Sequence, residues 1–110
     1  MAKGTYIQKG DTIDYKNGGS SAIEYNEVVV LASRISIAGE KIAVGATGSL
    51  QVTGVYELPA VNNEAFAVGD LLYWDATAGK LTKTSTSNTA AGWCVEAKAT
   101  AGTLGKVKID

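Results

Sequence analysis

The side chains that could perform acid–base chemistry in this 110-residue chain are nearly all carboxylates, because the sequence has no histidine and only one cysteine. Two carboxylates held on either side of a glycosidic bond can hydrolyse it. Most acidic residues here, however, stand beside glycine or on the polar side of an alternating segment, where a solvated structural role is expected. They are Asp11, Asp14, Glu24, Glu27, Glu40, Glu57, Glu64, Asp70, Asp75 and Glu96. A carboxylate hydrolase is thus the only enzymatic alternative, and the pattern does not favour it.

Other catalytic and cofactor sites lack the residue types that they require. Without histidine there is no Ser–His or Cys–His pair and no His-ligated metal, and a lone cysteine excludes an intrachain disulfide or a thiolate cluster. Residues 45–49 and 102–106 are rich in glycine, but neither has the Lys-Ser/Thr pair and following helix of a phosphate loop. No calcium-loop motif is present. We expect no enzyme activity, no cofactor and no metal, and we expect Cys94 to be a buried apolar residue.

The charge pattern argues against nucleic acid and membrane as partners. Ten basic and eleven acidic residues give a formal charge of −1, and the basic residues are dispersed among acidic ones. A nucleic-acid-binding protein usually presents a basic face. The longest apolar run, residues 28–32, is far shorter than the roughly 20 residues that span a bilayer. No apolar segment of a signal peptide follows the N-terminal residues, so we expect synthesis in the cytoplasm.

Alternation of apolar and polar residues predicts strands along most of the chain. Val, Ile and Thr make up 28 of the 110 residues, and such β-branched side chains suit a pleated sheet. Alternation is visible over residues 34–37, 50–58, 93–96 and 106–109. In the longest of these runs Leu50, Val52, Tyr56 and Leu58 share one face. One apolar and one polar face is typical of antiparallel strands that cover a core.

Turn residues separate these runs at spacings near ten residues. Thirteen glycines and one proline provide many tight turns. This pattern predicts an all-β fold, either a small antiparallel β-sandwich or a partly open β-barrel with short turns. At most one short helical turn is expected, within residues 59–67. We expect residues 9–110 to form a single β domain, preceded by an N-terminal arm or edge strand over residues 1–8.

The aromatic residues and the N-terminal segment are the remaining functional candidates. Tyr73 and Trp74 must lie on opposite faces of one strand, and Trp93 is expected in the core because it alternates with Val95. An exposed Trp and Tyr platform for sugars is the functional alternative to core or subunit packing. The arm residues Thr5, Tyr6, Ile7 and Gln8 are uncharged and β-prone. They fit either an edge strand or an arm that adds a strand to a partner's sheet.

Two Gly-Asp pairs form a weak internal echo. Gly10-Asp11 and Gly69-Asp70 each precede an apolar segment that ends in aromatic residues. Glycine allows the chain to turn, and the aspartate can accept hydrogen bonds from nearby backbone N–H groups. We interpret the echo as shared turn chemistry and not as a repeated domain.

Several segments, in this order, resemble a family of tailed-phage and prophage capsid cement (head decoration) proteins. The resemblance covers residues 6–11, 48–59, 68–82, 91–97 and 106–109. It is most specific in residues 68–82, where Gly69-Asp70 and an apolar pair are followed by Tyr73-Trp74-Asp75 and the return segment Lys80-Leu81-Thr82. The resemblance therefore extends over most of the chain.

The resemblance implies a structural role without catalysis or a cofactor. Family members decorate the outer surface of a phage head and bridge subunits of the major capsid protein, typically as homotrimers. The chain would then be made in the bacterial host cytoplasm and end in the virion. It implies that the motif residues Gly69, Asp70, Tyr73, Trp74 and Asp75 define the fold. As contacts with the capsid or with neighbouring copies we expect Thr5, Tyr6, Ile7, Gln8, Tyr25, Asn62 and Asn63.

The alternative function is a non-catalytic binding module of another kind. Such a module would be carbohydrate-binding or tail-associated and would use exposed aromatic residues such as Trp74 or Trp93. The two hypotheses differ in what they require of these tryptophans, since a capsid protein can bury both.

Overall fold

The computed structural model describes residues 1–109, in which it has nine strands and no helix. The prediction of an all-β antiparallel fold is confirmed, and the architecture is sandwich-like and not a closed barrel. Within residues 59–67, Ala60 and Phe66 form isolated bridges around a turn at Asn62 and Asn63. The strands are β1 (Thr12–Lys16), β2 (Val28–Leu31), β3 (Arg34–Ala38), β4 (Thr47–Gln51), β5 (Val55–Pro59), β6 (Leu71–Asp75), β7 (Lys80–Thr82), β8 (Thr89–Glu96) and β9 (Leu104–Lys108).

The two sheets share one topology. The first has the order β1-β4-β3-β2, and the second has the order β5-β9-β8-β6-β7, so that β7 is the only addition. Residue pairings at equivalent positions agree as well. The first residue of β1, Thr12, pairs with Gln51 at the end of β4. In the same way, the first residue of β5, Val55, pairs with Lys108 at the end of β9. Between the two inner strands, Ala38 pairs with Leu50 in the first half, and Cys94 pairs with Val107 at the equivalent position of the second half. The chain therefore repeats one motif, once in residues 12–51 and once in residues 55–108.

Each half is closed by the same type of loop bridge. Ile23 and Ile42 exchange two backbone hydrogen bonds of 2.9 and 2.8 Å, and Phe66 and Lys98 exchange two of 3.0 and 2.9 Å. Each bridge joins the loop before the second strand of the motif (β2 or β6) to the loop before its last strand (β4 or β9). Both halves thus fix their loops with backbone hydrogen bonds, which depend little on side-chain identity.

The echo of two Gly-Asp pairs is not the trace of this duplication. In the repeated motif Gly69-Asp70 corresponds to Asn26-Glu27, whereas Gly10-Asp11 precedes β1. The turn interpretation nevertheless agrees with the backbone, since φ is +86° at Gly10 and +93° at Gly69.

Equivalent positions of the two halves form the hydrophobic core. The smaller cluster contains Ile23, Val29, Ala38, Ile42 and Leu50. The equivalent residues of the second half are Phe66, Leu72, Cys94, Lys98 and Val107, and all except Lys98 belong to the larger cluster. Cys94 is fully buried, as expected from its apolar context. Ile35 and Ile37 of β3 also join the larger cluster, so β3 connects the two halves.

The alternating run over residues 50–58 does not form one strand, contrary to the sequence interpretation. It divides into β4 and β5, which lie in different sheets. The break is at Gly54, whose φ of +120° is unfavourable for residues with a side chain. Leu50 and Leu58 are therefore buried in different clusters and not on one shared face.

Lys98 stands where the first half has the apolar Ile42, and it is nonetheless buried. Its ammonium group donates hydrogen bonds to the carbonyl oxygens of Ala99, Thr100 and Gly102 at 2.9, 3.3 and 3.0 Å. The same nitrogen lies 4.8 Å from the centroid of the Phe66 ring. A buried lysine is tolerated because its donors are satisfied and its charge lies over an aromatic ring.

Within residues 1–109 we find no helix of the length and apolar character that crossing a membrane requires.

Replacing Gly92 with alanine tests how tightly β8 approaches β9. A Cβ atom there would overlap the backbone oxygen of Lys108, and φ is +145°. We expect Gly92→Ala to lower the free energy of unfolding by about 3 kcal/mol or more, measured by denaturant titration. Gly79→Ala is the matched control, since Gly79 also has a positive φ but has no atom within 4 Å of a built Cβ, and it should cost only about 1 kcal/mol. Equal losses in both variants would contradict the close approach.

Replacing Lys98 with methionine tests whether the buried ammonium group stabilises the second half. Methionine keeps the unbranched apolar part of the side chain but removes the ammonium group, so carbonyl oxygens lose their donor. We expect thermal and chemical unfolding to show a loss of about 1–3 kcal/mol. Lys83→Met removes an exposed lysine 3.9 Å from Asp70 and should change stability by less than about 0.5 kcal/mol. A Lys98→Met variant as stable as the original chain would show that this position tolerates an apolar side chain as readily as Ile42 does.

Candidate partner-binding surface

The carboxylates of the described residues form no metal-binding cluster. In residues 1–109 no group of three or more His, Cys, Asp or Glu side chains is arranged to hold a metal ion. Several carboxylates instead accept hydrogen bonds that fix turns. Glu64 accepts from the Thr82 hydroxyl at 3.0 Å and from the Lys83 N–H at 2.8 Å. Glu40 accepts from the Ser49 N–H at 3.0 Å. These contacts are structural.

The motif residues lie in β6 and directly before it: Gly69 and Asp70 precede the strand, and Tyr73, Trp74 and Asp75 belong to it. The Asp70 carboxylate accepts a 2.8 Å hydrogen bond from the Ala67 N–H, directly after the turn at Gly69. At the other end of the strand, Asp75 accepts hydrogen bonds from two backbone N–H groups of the following turn. Between them Trp74 is 7% exposed within the larger cluster, and Tyr73 is half-buried. Asp70 and Asp75 thus fix the turns at the two ends of β6, and Trp74 belongs to the core between them; that the motif defines the fold stays a prediction.

The N-terminal arm, residues 1–8, is exposed throughout and belongs to no strand, and the same is true of residues 9 and 10. Tyr6 and Ile7 have 82% and 81% of their surface accessible to solvent. Two polar contacts lie where the arm meets the body. The Gln8 side-chain amide donates a 3.4 Å hydrogen bond to the Thr12 carbonyl, and the Lys9 ammonium group lies 3.5 Å from the Asp11 carboxylate. The arm therefore presents large apolar side chains that no residue of its own chain covers.

The other predicted contact residues are exposed but lie apart. Tyr25 is at the tip of the turn before β2, and Asn62 and Asn63 form the turn between β5 and β6. Within residues 1–109, no hydrogen bond or ion pair joins these turns to each other or to the arm.

Tyr25 also influences the pKa of a neighbouring tyrosine, Tyr56. Burial raises the pKa of the Tyr56 hydroxyl above its usual value, and the neighbouring Tyr25 adds to the rise. The Tyr56 hydroxyl donates a hydrogen bond to the side-chain oxygen of Gln51. This contact joins β4 to β5 across the break at Gly54. Tyr56 therefore stays neutral in the folded protein at physiological pH.

The outer face of the second sheet carries a row of apolar residues that the sequence analysis missed. Leu71, Trp93 and Val55 are exposed, and with Lys108 they occupy successive positions across β6, β8, β9 and β5. Trp93 is 39% exposed, so its predicted place in the core is wrong. The register shift in β8 between Cys94 and Glu96 means that simple alternation could not assign this face.

Beside this row an open hollow of about 330 Å³ lies between the two halves. Leu71, Tyr73 and Trp93 of the second half and Arg34 of β3 are among the residues that line it. Elsewhere on the same face, Lys106 donates a 2.6 Å hydrogen bond to Glu96, and this bond raises the pKa of Lys106. A second hollow, of about 480 Å³, is polar and has Asn63, Glu64 and several hydroxyl side chains along its wall.

No curated protein and no solved structure matched the chain. A family model described as phage cement protein matched residues 7–109. The match begins at Ile7, near the end of the arm, and includes both halves of the repeated motif. It agrees with the resemblance seen in the sequence, and it implies association with a phage capsid and a place among the components of the virion. The chain belongs to the phage cement protein family.

Proposed function

We propose that this protein binds the outer surface of a phage head and stabilises the lattice of the major capsid protein. The observation that carries the proposal is the family match, which spans nearly the whole chain. The structure is compatible with such a role, because two closed cores and short turns make a compact body without a metal cluster among its described residues. A capsid component needs a durable surface and not a reactive site, so we propose that the protein is not an enzyme.

The contacts with the capsid and with neighbouring copies are proposed to come from the exposed segments. The arm offers Tyr6 and Ile7, which are accessible and apolar. Tyr25 and the turn at Asn62 and Asn63 add two further exposed sites on the body. An exposed apolar arm gains affinity when it pairs with the edge of a partner's sheet, because backbone hydrogen bonds then add to side-chain burial.

Self-association, with a homotrimer as the expected form, would strengthen attachment. Contacts of one copy can be weak, since linked copies bind a regular lattice at high effective concentration. Closed symmetric oligomers are also the common form of self-assembly in soluble proteins. The balanced net charge of −1 supports partners that are protein and neither nucleic acid nor membrane. We propose synthesis in the bacterial host cytoplasm, from a phage or prophage genome, followed by addition to the head.

Binding of the protein to undecorated heads of its phage tests the capsid role and the arm together. We expect the full chain to sediment with the heads, and a variant lacking residues 1–8 to bind about tenfold more weakly or worse while unfolding at the same temperature. Val44→Lys, which changes an exposed turn residue outside the proposed contacts, is the control and should bind like the original chain. Full-length protein that does not sediment with the heads would refute the capsid role, and unchanged affinity of the shortened chain would refute the role of the arm.

The apolar hollow beside Trp93 favours a second candidate, a carbohydrate-binding or tail-associated module. An exposed indole beside Leu71 is a surface on which a sugar ring can stack. The buried Trp74 cannot serve in this way without unfolding part of the larger cluster.

Tryptophan fluorescence separates this candidate from the capsid role. Under the capsid proposal we expect no change in tryptophan emission when a panel of glycans is added, since the protein would have no sugar-binding site. A shift or quenching that disappears in Trp93→Phe would establish the carbohydrate alternative. Trp93→Phe removes an exposed indole and should leave stability within about 1 kcal/mol of the original chain, so loss of folding does not confuse the test.

A further inference from the structure

The two halves of the chain differ at one strand position. In the second sheet the outer edge of β6 is paired with β7, in the register Tyr73 with Thr82 and Trp74 with Leu81. In the first sheet the equivalent strand, β2, is the last strand, and its outer edge has no pairing strand in residues 1–109. The connection explains the difference, because only Ala32 and Ser33 lie between β2 and β3. The first half therefore has a strand position that its own hairpin cannot fill.

The free edge of β2 lacks the features that usually protect an edge strand. Its sequence is Val-Val-Val-Leu, with no charge, no proline and no register shift. The other edges are protected: β1 carries Asp14 and Lys16, β5 ends in Pro59, and β7 has only three residues. In a hairpin with a two-residue turn, the residues that flank the turn, here Leu31 and Arg34, form a hydrogen-bonded pair. Hydrogen-bonded and non-hydrogen-bonded pairs alternate along the strands, so the N–H and C=O groups of Val30 point away from β3.

The core beneath this edge is also incomplete in comparison with the second half. Leu81 of β7 is fully buried beside Trp74 and helps to bury it. Leu31, the equivalent of Trp74, is only half-buried at the margin of the smaller cluster. An apolar side chain opposite Leu31 would complete the first half as Leu81 completes the second.

We propose that the arm of a second copy of this chain fills the position, with Thr5 to Gln8 added as a strand to the β2 edge. The arm is uncharged over these residues, and alternation places Tyr6 and Ile7 on opposite faces of an added strand. One of the two then lies opposite the margin of the smaller cluster beside Leu31. The apolar edge and the uncovered apolar arm thus complete each other.

The arm of the same copy does not reach this edge with these residues. β1 and the empty position are four strand spacings apart, about 19 Å across the sheet at roughly 4.8 Å per spacing. From Gln8 to the first residue of β1, four residue steps extend about 14 Å at most. The same residues can reach a neighbouring copy, whose β2 edge can lie beside the start of β1. A contact from arm to edge is heterologous, and it forms a ring when the rotation between copies closes.

This inference specifies the self-association included in the proposed function, and it is tested in solution without capsids. Light scattering coupled to gel filtration, over a range of concentrations, should show the full chain as an oligomer. Removal of residues 1–8, or Val30→Lys at the exposed edge, should weaken association about tenfold or more. The decisive sample is a mixture of the two variants, because one keeps the edge and the other keeps the arm. Each alone should be monomeric, and together they should form a one-to-one complex.

The controls separate this contact from misfolding and from other contacts. Val44→Lys adds the same charge at an exposed turn and should leave the oligomer unchanged. Ile7→Lys changes only the exposed arm, so it should weaken association without lowering the unfolding temperature. A monomeric full chain, an unchanged oligomer after loss of the arm, or a mixture without a complex would each overturn the proposal. Head binding by a monomeric chain would leave the capsid role intact, whereas an oligomer that fails to bind heads would support only the inference made here.

Discussion

The strand β3 is buried on both faces, and the rest of the structure depends on this. Ile35 and Ile37 face the larger cluster, which belongs mainly to the second half, whereas Ala38 joins the smaller cluster of the first half. The small Ser36 is fully buried and donates a 3.0 Å hydrogen bond to the Val29 carbonyl, so its hydroxyl is satisfied. One short strand thus supports two cores. A strand shared by two cores increases the buried apolar surface of a 110-residue chain with no disulfide, and small domains bury only a limited fraction of their surface.

Duplication explains how the remaining strands are arranged around β3. Apart from β7, both halves have the same strand order and the same bridge between loops, and their registers agree up to the shifts in the second half. The halves differ where function is proposed: the first has a free apolar edge and is preceded by the arm, and the second has an extra strand and the exposed Trp93. For a capsid component this division is useful, since one motif provides stability while the differences between its two copies provide contact surfaces.

The sequence predicted the fold class because the relevant signals are local. Alternation identified β3 and β9, and the Gly-Asp pair before β6 predicted both the turn at Gly69 and the hydrogen bond to the Asp70 carboxylate. The motif from Gly69 to Asp75 carried the family resemblance, which the family match confirms. Cys94 was correctly expected in the core.

The features that were missed depend on register or on comparison of distant segments. Glycine is compatible with a strand, so alternation passed through Gly54 although the chain changes sheet there. The face occupied by Trp93 depends on a register shift in β8. The duplication is recorded mainly in hydrogen bonds, since equivalent residues such as Ile42 and Lys98 have unlike side chains. The free edge of β2 becomes visible only when the two sheets are compared.

Electron cryo-microscopy of undecorated heads, before and after addition of the full chain, tests the central claim most directly. We expect additional density on the outer surface of the shell, repeated at symmetry-related positions and large enough for the two-sheet body. The density should touch the major capsid protein and should be lost when the added protein is omitted. Heads that remain bare, or density confined to the interior or the tail, would contradict the claim that this member of the phage cement protein family decorates the outside of the capsid.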